Sequence, residues 1–307
     1  MAFGIIDIDH LMIRVADRDA AAADYERLGF AVAPPRLTAS GKPTGPFQNH
    51  MVLFDGPDGG REDVANYLEL MECDFSKMPT ENFHMQGLMS FLIGAEGPKY
   101  IVHCSDDVAR AKEEMREFGF FIFPDLHIGG KENPVYWLDP KTAEEIRTEA
   151  TVCVPGYGKS PFSFGLFESE NVRAYAHPAF TSHPNTATHL AAITAVSPDI
   201  DRDAAFMSRV YDSPISKESD HCAVIKKRDI ELRILSLNGF SETYPDIPLH
   251  LNDVPPSIVG CSIAVRSLDT VRSILTKNSI KFFEGVGRIY VHPENIRNNT
   301  IEFFEES

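Results

Sequence analysis

Two stretches decide how this chain is read: Asp7–Phe30, DIDHLMIRVADRDAAAADYERLGF, and Ala187–Asp212, ATHLAAITAVSPDIDRDAAFMSRVYD. Each opens on an apolar run that holds a histidine, His10 in the first and His189 in the second, and each carries DRDAA onward. The apolar runs have strand character. The aspartates behind them suit a helix N-terminus, the alanines a helix interior, and Gly29 a helix stop. A strand–turn–helix unit is therefore written once in each half of a 307-residue chain.

Working outward, PPRLTASGKPTGP follows the first copy as a breaker-rich loop. NHMVLFDG and NYLELMEC then read as strands around the turn-rich GPDGGRED. A second unit starts at GPKYIVHCSDDVARAKEEMREFGFFIF, with a helix predicted to end at Gly119 and with PVYWLD and SPFSFGLFES as later strands. The third copy continues into HCAVIKK and DIELRILS, and a fourth runs through SIVGCSIAVRSLDTVRSILTKNSIKFFEG, GRIYVHPE and NTIEFFEE. One βαβββ unit alone leaves a sheet face uncovered, and pairing two closes a cleft. The expectation is an α+β fold of four βαβββ modules paired into two domains, residues 1–172 and 188–307. The linker, 173–187, falls in the Pro-, Thr- and His-rich ENVRAYAHPAFTSHPNTAT.

Composition narrows the function. Hydrophobic residues make up 43% of the chain, enough for real cores. A formal charge of -16 argues against nucleic acid, whose phosphates select basic surfaces, and against docking on anionic membranes. A small anionic substrate is still open, because a site can be locally positive. The N-terminal MAFGIIDIDH lacks the pattern of a signal peptide, and no apolar run has the length of a membrane span. Five scattered cysteines, never spaced as CxxC, fit reduced thiols in a cytoplasmic protein.

The set DHLMIRVADRDAAAADYERLGF, NHMVLF with YLELME, SPFSFGLFE and HPNTATHLAAITAV resembles the vicinal oxygen chelate superfamily, in its glyoxalase-like branch. The resemblance covers essentially the whole chain. It implies paired βαβββ modules and a cupped sheet that often holds a divalent metal. It implies no single reaction, since members include isomerases, lyases, dioxygenases, thiol transferases and drug-binding proteins.

Alternation along strands selects the candidate residues. His10, Met12 and Arg14 share one face of the opening strand, opposite Leu11, Ile13 and Val15. Tyr67, Glu69 and Met71 share a face of NYLELMEC, and His50 begins the strand between. Imidazole nitrogens with a carboxylate oxygen suit zinc, iron, manganese or nickel. His10, His50 and Glu69 are the expected metal ligands, and Glu69 is also the expected general base. The plainer alternative makes the histidines hydrogen-bonded residues of the cleft or core and Glu69 a solvated sheet residue. Arg14 could hold a substrate carboxylate or make a surface ion pair. Tyr100 falls where the superfamily's ligand on the second unit's first strand would stand, and is expected to contact substrate. A second metal site is expected from His189, Glu231 and Glu302, matching His189 to His10, His221 to His50 and Glu231 to Glu69. There Ser262 and Cys261 stand where a further histidine is usual.

Other signals are weaker. CVPGYGKS lacks the first glycine of a phosphate loop, no GxSxG elbow is present, and Tyr136 with Trp137 suits a pocket wall or core packing. Within that range the leading expectation is a metal-dependent lyase or isomerase that binds the vicinal oxygens of a small molecule and stabilises an enolate or alkoxide. An iron-dependent extradiol dioxygenase and a non-catalytic binding or resistance protein are the alternatives. Pairing of modules within or between chains leaves a homodimer open.

Overall fold

Strand and helix alternate because apolar runs are cut by capping residues. The strand β1 (Ile5–Val15) gives way to α1 (Arg18–Arg27) where the Asp17 side chain accepts a hydrogen bond from the Ala20 amide. Asp107 caps α2 (Val108–Phe118) in the same way. Asp199 and Ser267 cap two further helices of the second half, Ile200–Tyr211 and Leu268–Lys277. Such a cap stabilises a helix by about 1 kcal/mol. Gly119 ends α2 in the left-handed conformation, φ 92°, which a glycine adopts without steric cost.

The computed structural model describes residues 3–35, 37–38, 47–56, 64–73, 94–124, 126–128, 135–138, 145–148, 150–156, 160–169, 178–251 and 253–306. In its first half, β1 and α1 are followed by β2 (Leu37–Thr38), β3 (Phe47–Leu53) and β4 (Tyr67–Cys73). Next come β5 (Gly97–Ser105), α2, β6 (Leu126–Ile128), β7 (Val135–Leu138), β8 (Glu145–Thr148), β9 (Ala150–Cys153) and β10 (Phe164–Ser169). The short helix α3 (Pro178–Thr181) leads into β11 (Ala187–Val196), α4 (Ile200–Tyr211), β12 (Ile215–Ser219), β13 (Cys222–Lys227) and β14 (Ile230–Leu235). The chain ends with α5 (Leu237–Thr243), β15 (Ser257–Val265), α6 (Leu268–Lys277), β16 (Phe282–Gly285), β17 (Arg288–Val291) and β18 (Thr300–Glu305).

Two curled sheets carry the α+β fold. The first has the order β3-β4-β1-β5-β10-β9-β6, the second β12-β13-β14-β11-β15-β18-β17-β16. In each, the two opening strands lie antiparallel at the centre, and each opening strand runs parallel to the closing strand of its own unit. The segment PVYWLD does not belong to the first sheet as expected. Its strand β7 pairs with β2 and β8 in a separate three-stranded sheet, and β9 takes the place beside β10.

One face of both sheets feeds a single core. Ile8, Leu11 and Ile13 of β1 share it with Leu190 and Ile193 of β11 and Ile263 of β15. Phe30 meets Phe303 across the seam with ring centroids 5.8 Å apart. Polar ties reinforce it: His103 Nε2 lies 2.9 Å from the Tyr211 hydroxyl, and Asn299 donates to the Tyr25 hydroxyl at 3.0 Å. The expected boundary at 172 falls outside the described residues. Residues 178–187 are packed, with Phe180 buried in the concavity of the first sheet and Asn185 bonded to the Leu28 carbonyl.

Candidate active site

The opposite face of the first sheet forms a cup. Met12, Tyr67, Met71, Tyr100, Val102 and Phe167 line it together with Met51 from β3. Sitting among them, His10 and Glu69 are each 3% exposed. Parallel pairing of β1 with β4 sets Tyr67 beside His10 and Glu69 beside Met12. The His10 ring stacks on Tyr67 at 4.1 Å, and its Nε2 lies 3.4 Å from Glu69 Oε2. Its Nδ1 donates to Asp9 Oδ1 at 2.6 Å. The Asn49 amide donates to Glu69 Oε1. Burial works against charging His10, yet Asp9 and Glu69 on its two nitrogens outweigh it and raise the imidazole above its ordinary range. Burial likewise pushes the Asp9 carboxyl up.

His50 does not join this group. It occupies the other face of β3, where Nδ1 donates to the Ala33 carbonyl at 2.8 Å and Nε2 lies 2.9 Å from Asp19 on α1. Alternation then turns its neighbour Asn49 into the cup. Both faces of NHMVL carry apolar residues, so the sequence does not say which of the two polar residues turns inward. Arg14 lies near the far end of β1, beside Met71, and is half-buried. Tyr100 is buried in the cup opposite Met12. A Cβ at Gly165 would fall 2.8 Å from the Tyr100 hydroxyl, so the glycine is what lets this ring lie across β10. Asp9, Asn49 and Tyr67 are the site residues that the sequence reading missed. Asp9 escapes the alternation rule because the pairing of β1 with β5 slips between Ile8 and His10.

The second sheet holds a different constellation. Its first strand repeats the register shifts of β1, at Leu190/Ala192 and Thr194/Ala195 against Ile8/His10 and Met12/Ile13. Ala192 faces Ser262 as His10 faces Val102. His189 lies three residues before Ala192, so the match of His189 to His10 is corrected to Ala192. Glu231 pairs with Ala192, which makes it the counterpart of Tyr67, and Arg233 takes the place of Glu69. His189, Glu231 and Glu302 do not converge. His189 turns to Thr188 and Glu306, and Glu231 to Arg233. The Glu302 carboxylate accepts from Ser262, Arg288 and Arg233. Phe240 and Tyr244 of the α5 segment fill the concavity. His221 sits outside it, bonded to Ser236.

As a cation site, the first cup offers two adjacent ligands. Donors held about 2.0–2.2 Å from one ion stand roughly 3 Å apart, and His10 Nε2 and Glu69 Oε2 are 3.4 Å apart. A carboxylate on the other nitrogen of a ligating histidine is the usual outer support of such a ligand, and Asp9 stands there. The register row through His10 continues into the second unit at Val102 and Gly165, which bring no donor side chain. Among the described residues no cluster of three His, Cys, Asp or Glu side chains fit to hold a metal occurs. Water or substrate oxygens would complete the coordination shell.

Two cupped sheets, each with antiparallel opening strands at its centre and parallel closing strands beside them, are the paired-module fold that the resemblance to the vicinal oxygen chelate superfamily implies. A family model described as a glyoxalase-like domain matches residues 8–211, and the chain belongs to that family. Solved structures share the fold at low identity. A hypothetical protein from Staphylococcus aureus is 10% identical, with 98% of this chain and 99% of that one covered and a TM-score of 0.63. Homoprotocatechuate 2,3-dioxygenase from Arthrobacter globiformis is 12% identical, covering 99% and 81%, with a TM-score of 0.55. The Mn(II)-bound glyoxalase from Novosphingobium aromaticivorans is 12% identical, covering 98% and 82%, with a TM-score of 0.54. Among curated proteins nothing matches. No helix among the described residues is long and apolar enough to cross a membrane.

Proposed function

We propose that the first cup is the active site of a metal-dependent, glyoxalase-like enzyme, of lyase or isomerase type, acting on a small molecule with two neighbouring oxygens. The observation that carries this is the approach of His10 Nε2 to Glu69 Oε2, 3.4 Å apart on neighbouring strands of a buried cup. A divalent ion (zinc, iron, manganese or nickel) held by these two side chains would act as a Lewis acid toward the paired oxygens. The rest of the work falls to the chain itself. Glu69 accepts the proton from the carbon beside the substrate carbonyl, and the Asn49 amide holds one of its oxygens fixed. The methionines and aromatic rings of the cup exclude water and pack the substrate body. Tyr100 forms part of that wall, and Arg14, near the end of β1, would meet a substrate carboxylate.

The extradiol alternative needs two histidines with one carboxylate, and the outward turn of His50 removes the second histidine from the cup. The test is metal analysis of the purified protein after exposure to each ion, alongside a variant carrying His10→Ala and Glu69→Gln. About one ion per chain in the parent and none in the folded double variant is the expected result. Equal metal content in the two, or none in either, overturns the assignment. Proton exchange at the α-carbon of α-hydroxycarbonyl compounds in deuterated water then reads out the chemistry.

A further inference from the structure

We propose that Asp9 is a positioning residue for His10, and that the second sheet keeps Asp9 in place through Asn66. The inference rests on reading the first cup as the working one. Neighbours in a regular strand point to opposite faces, so Asp9 should turn away from His10. It does not. Pairing of β1 with β5 slips between Ile8 and His10, and an irregularity of this kind re-aims a side chain. The Asp9 carboxylate thereby reaches back to His10 Nδ1 at 2.6 Å, with both residues buried. The hydrogen bond fixes the ring in its plane and turns Nε2 toward Glu69.

The slip is a property of the fold rather than a product of this pair. β11 slips at the corresponding point, between Leu190 and Ala192, where Ala191 and Ala192 carry neither carboxylate nor imidazole. The backbone of Leu190 at that second slip is held by Asn66, the residue just before β4 of the first sheet. Its N–H donates to Asn66 Oδ1 at 2.7 Å, and its carbonyl accepts from Asn66 Nδ2 at 3.2 Å. Asn66 is 4% exposed, so this bidentate clamp is shielded from water. The adjoining Ala65 amide is turned toward the Asp9 carboxylate, whose buried Oδ2 has no hydrogen-bond partner among the described residues. A line of neighbouring residues thus runs from β11 through Asn66, Ala65 and Asp9 to His10. It gives the second sheet a part in the first cup although its own cup is filled.

The test compares the parent with Asp9→Ala, Asp9→Asn and Asn66→Ala, each checked for fold by far-UV circular dichroism. Nitrogen-15 spectra of the histidines, recorded at alkaline pH where the ring is neutral, report which nitrogen of His10 holds the proton. The parent is expected to hold it on Nδ1. Asp9→Ala should give a mixture, and Asp9→Asn, whose amide oxygen still accepts, should stay close to the parent. Asn66→Ala should move in the direction of Asp9→Ala by a smaller amount. Zn(II) titration adds an independent arm, with affinity falling roughly 10- to 100-fold in Asp9→Ala and partly restored in Asp9→Asn. An unchanged His10 tautomer in Asp9→Ala overturns the positioning role, whatever the zinc result. An unchanged tautomer in Asn66→Ala removes the part given to the second sheet. A parent that binds no zinc but shows the tautomer shift leaves the inference standing and brings down the metal-dependent reading instead.

Discussion

At the position where the first sheet presents His10, the second presents Ala192; Arg233 stands for Glu69, and Glu302 for Gly165. The central strands agree down to the slips in register, while the side chains they present differ. In the first, a carboxylate faces an imidazole across 3.4 Å and is braced by one amide. In the second, the carboxylate is neutralised by two guanidiniums and a hydroxyl, beneath the rings of the α5 segment. A cation cannot displace two fixed positive charges without leaving both unpaired. One fold thus yields a cup proposed to take an ion and a cup closed by its own ion pairs.

The largest expected effect tests whether the two cups stand on one foundation. Phe303 belongs to β18 of the second sheet but touches Phe30 behind α1, inside the core that both sheets share. Phe303→Ala should cost about 3–5 kcal/mol. Urea unfolding followed by tryptophan fluorescence and by circular dichroism should shift as a single transition. Two separated transitions would show that the sheets unfold independently and that the shared core is shared in geometry only.

Next in size is the contrast between the two carboxylates. Glu302→Gln takes from the Arg233 side chain, 13% exposed, its nearer charged partner and leaves it Glu231 at 3.8 Å. A loss of about 3 kcal/mol is expected, with ion binding in the first cup unchanged. Glu69→Gln is expected to do the reverse, abolishing ion binding with a smaller loss of stability. If both variants change the same observable, the division between a structural and a functional carboxylate fails.

Acid should loosen the seam between the halves. His103 donates to the Gly165 carbonyl and accepts from Tyr211 of α4, and burial pushes its imidazole down to about 3. His183 accepts from the Ala31 amide and donates to the Leu53 carbonyl, and burial holds it down at about 4. Both are neutral in the folded chain, while an unfolded histidine titrates near about 6.5. Below that pH the unfolded state takes up protons that the folded state refuses. Stability is therefore full above it and falls as the pH drops toward about 4, by roughly 1.4 kcal/mol per pH unit for each histidine. Urea midpoints at stepped pH measure the slope, and His103→Gln should flatten it by about half. An unchanged slope would place the acid sensitivity elsewhere.

Much of this architecture is legible in the sequence, because caps and apolar runs are local signals. Asp17, Asp107, Asp199 and Ser267 mark four helix starts, and DHLMIRV with NYLELMEC places His10 and Glu69 on inward faces. What failed depends on register. A histidine in each opening strand invites the match of His10 with His189, but pairing with β15 aligns Ala192 instead. Asp9 breaks alternation at a slip that no single strand announces. The separate sheet of β2, β7 and β8, and the filling of the second cup by LNGFSET, arise from partners distant in the chain.

The smallest expected effect is also the sharpest on the question of register, since it concerns two adjacent residues of β3. His50 reaches Asp19, whose side chain is 73% exposed, and an ion pair that open to water contributes under about 1 kcal/mol. His50→Ala should leave ion binding in the first cup as it was. Asn49→Ala, one residue earlier, withdraws the amide from Glu69 Oε1 and frees that carboxylate to swing. It should weaken zinc binding by a few-fold, while urea midpoints differ little between the two variants. The reverse order, with His50→Ala weakening the ion and Asn49→Ala silent, would mean that β3 pairs with β4 one residue away from the register that sets His50 beside Leu70. The cup would then have a second histidine, and the extradiol reading would return.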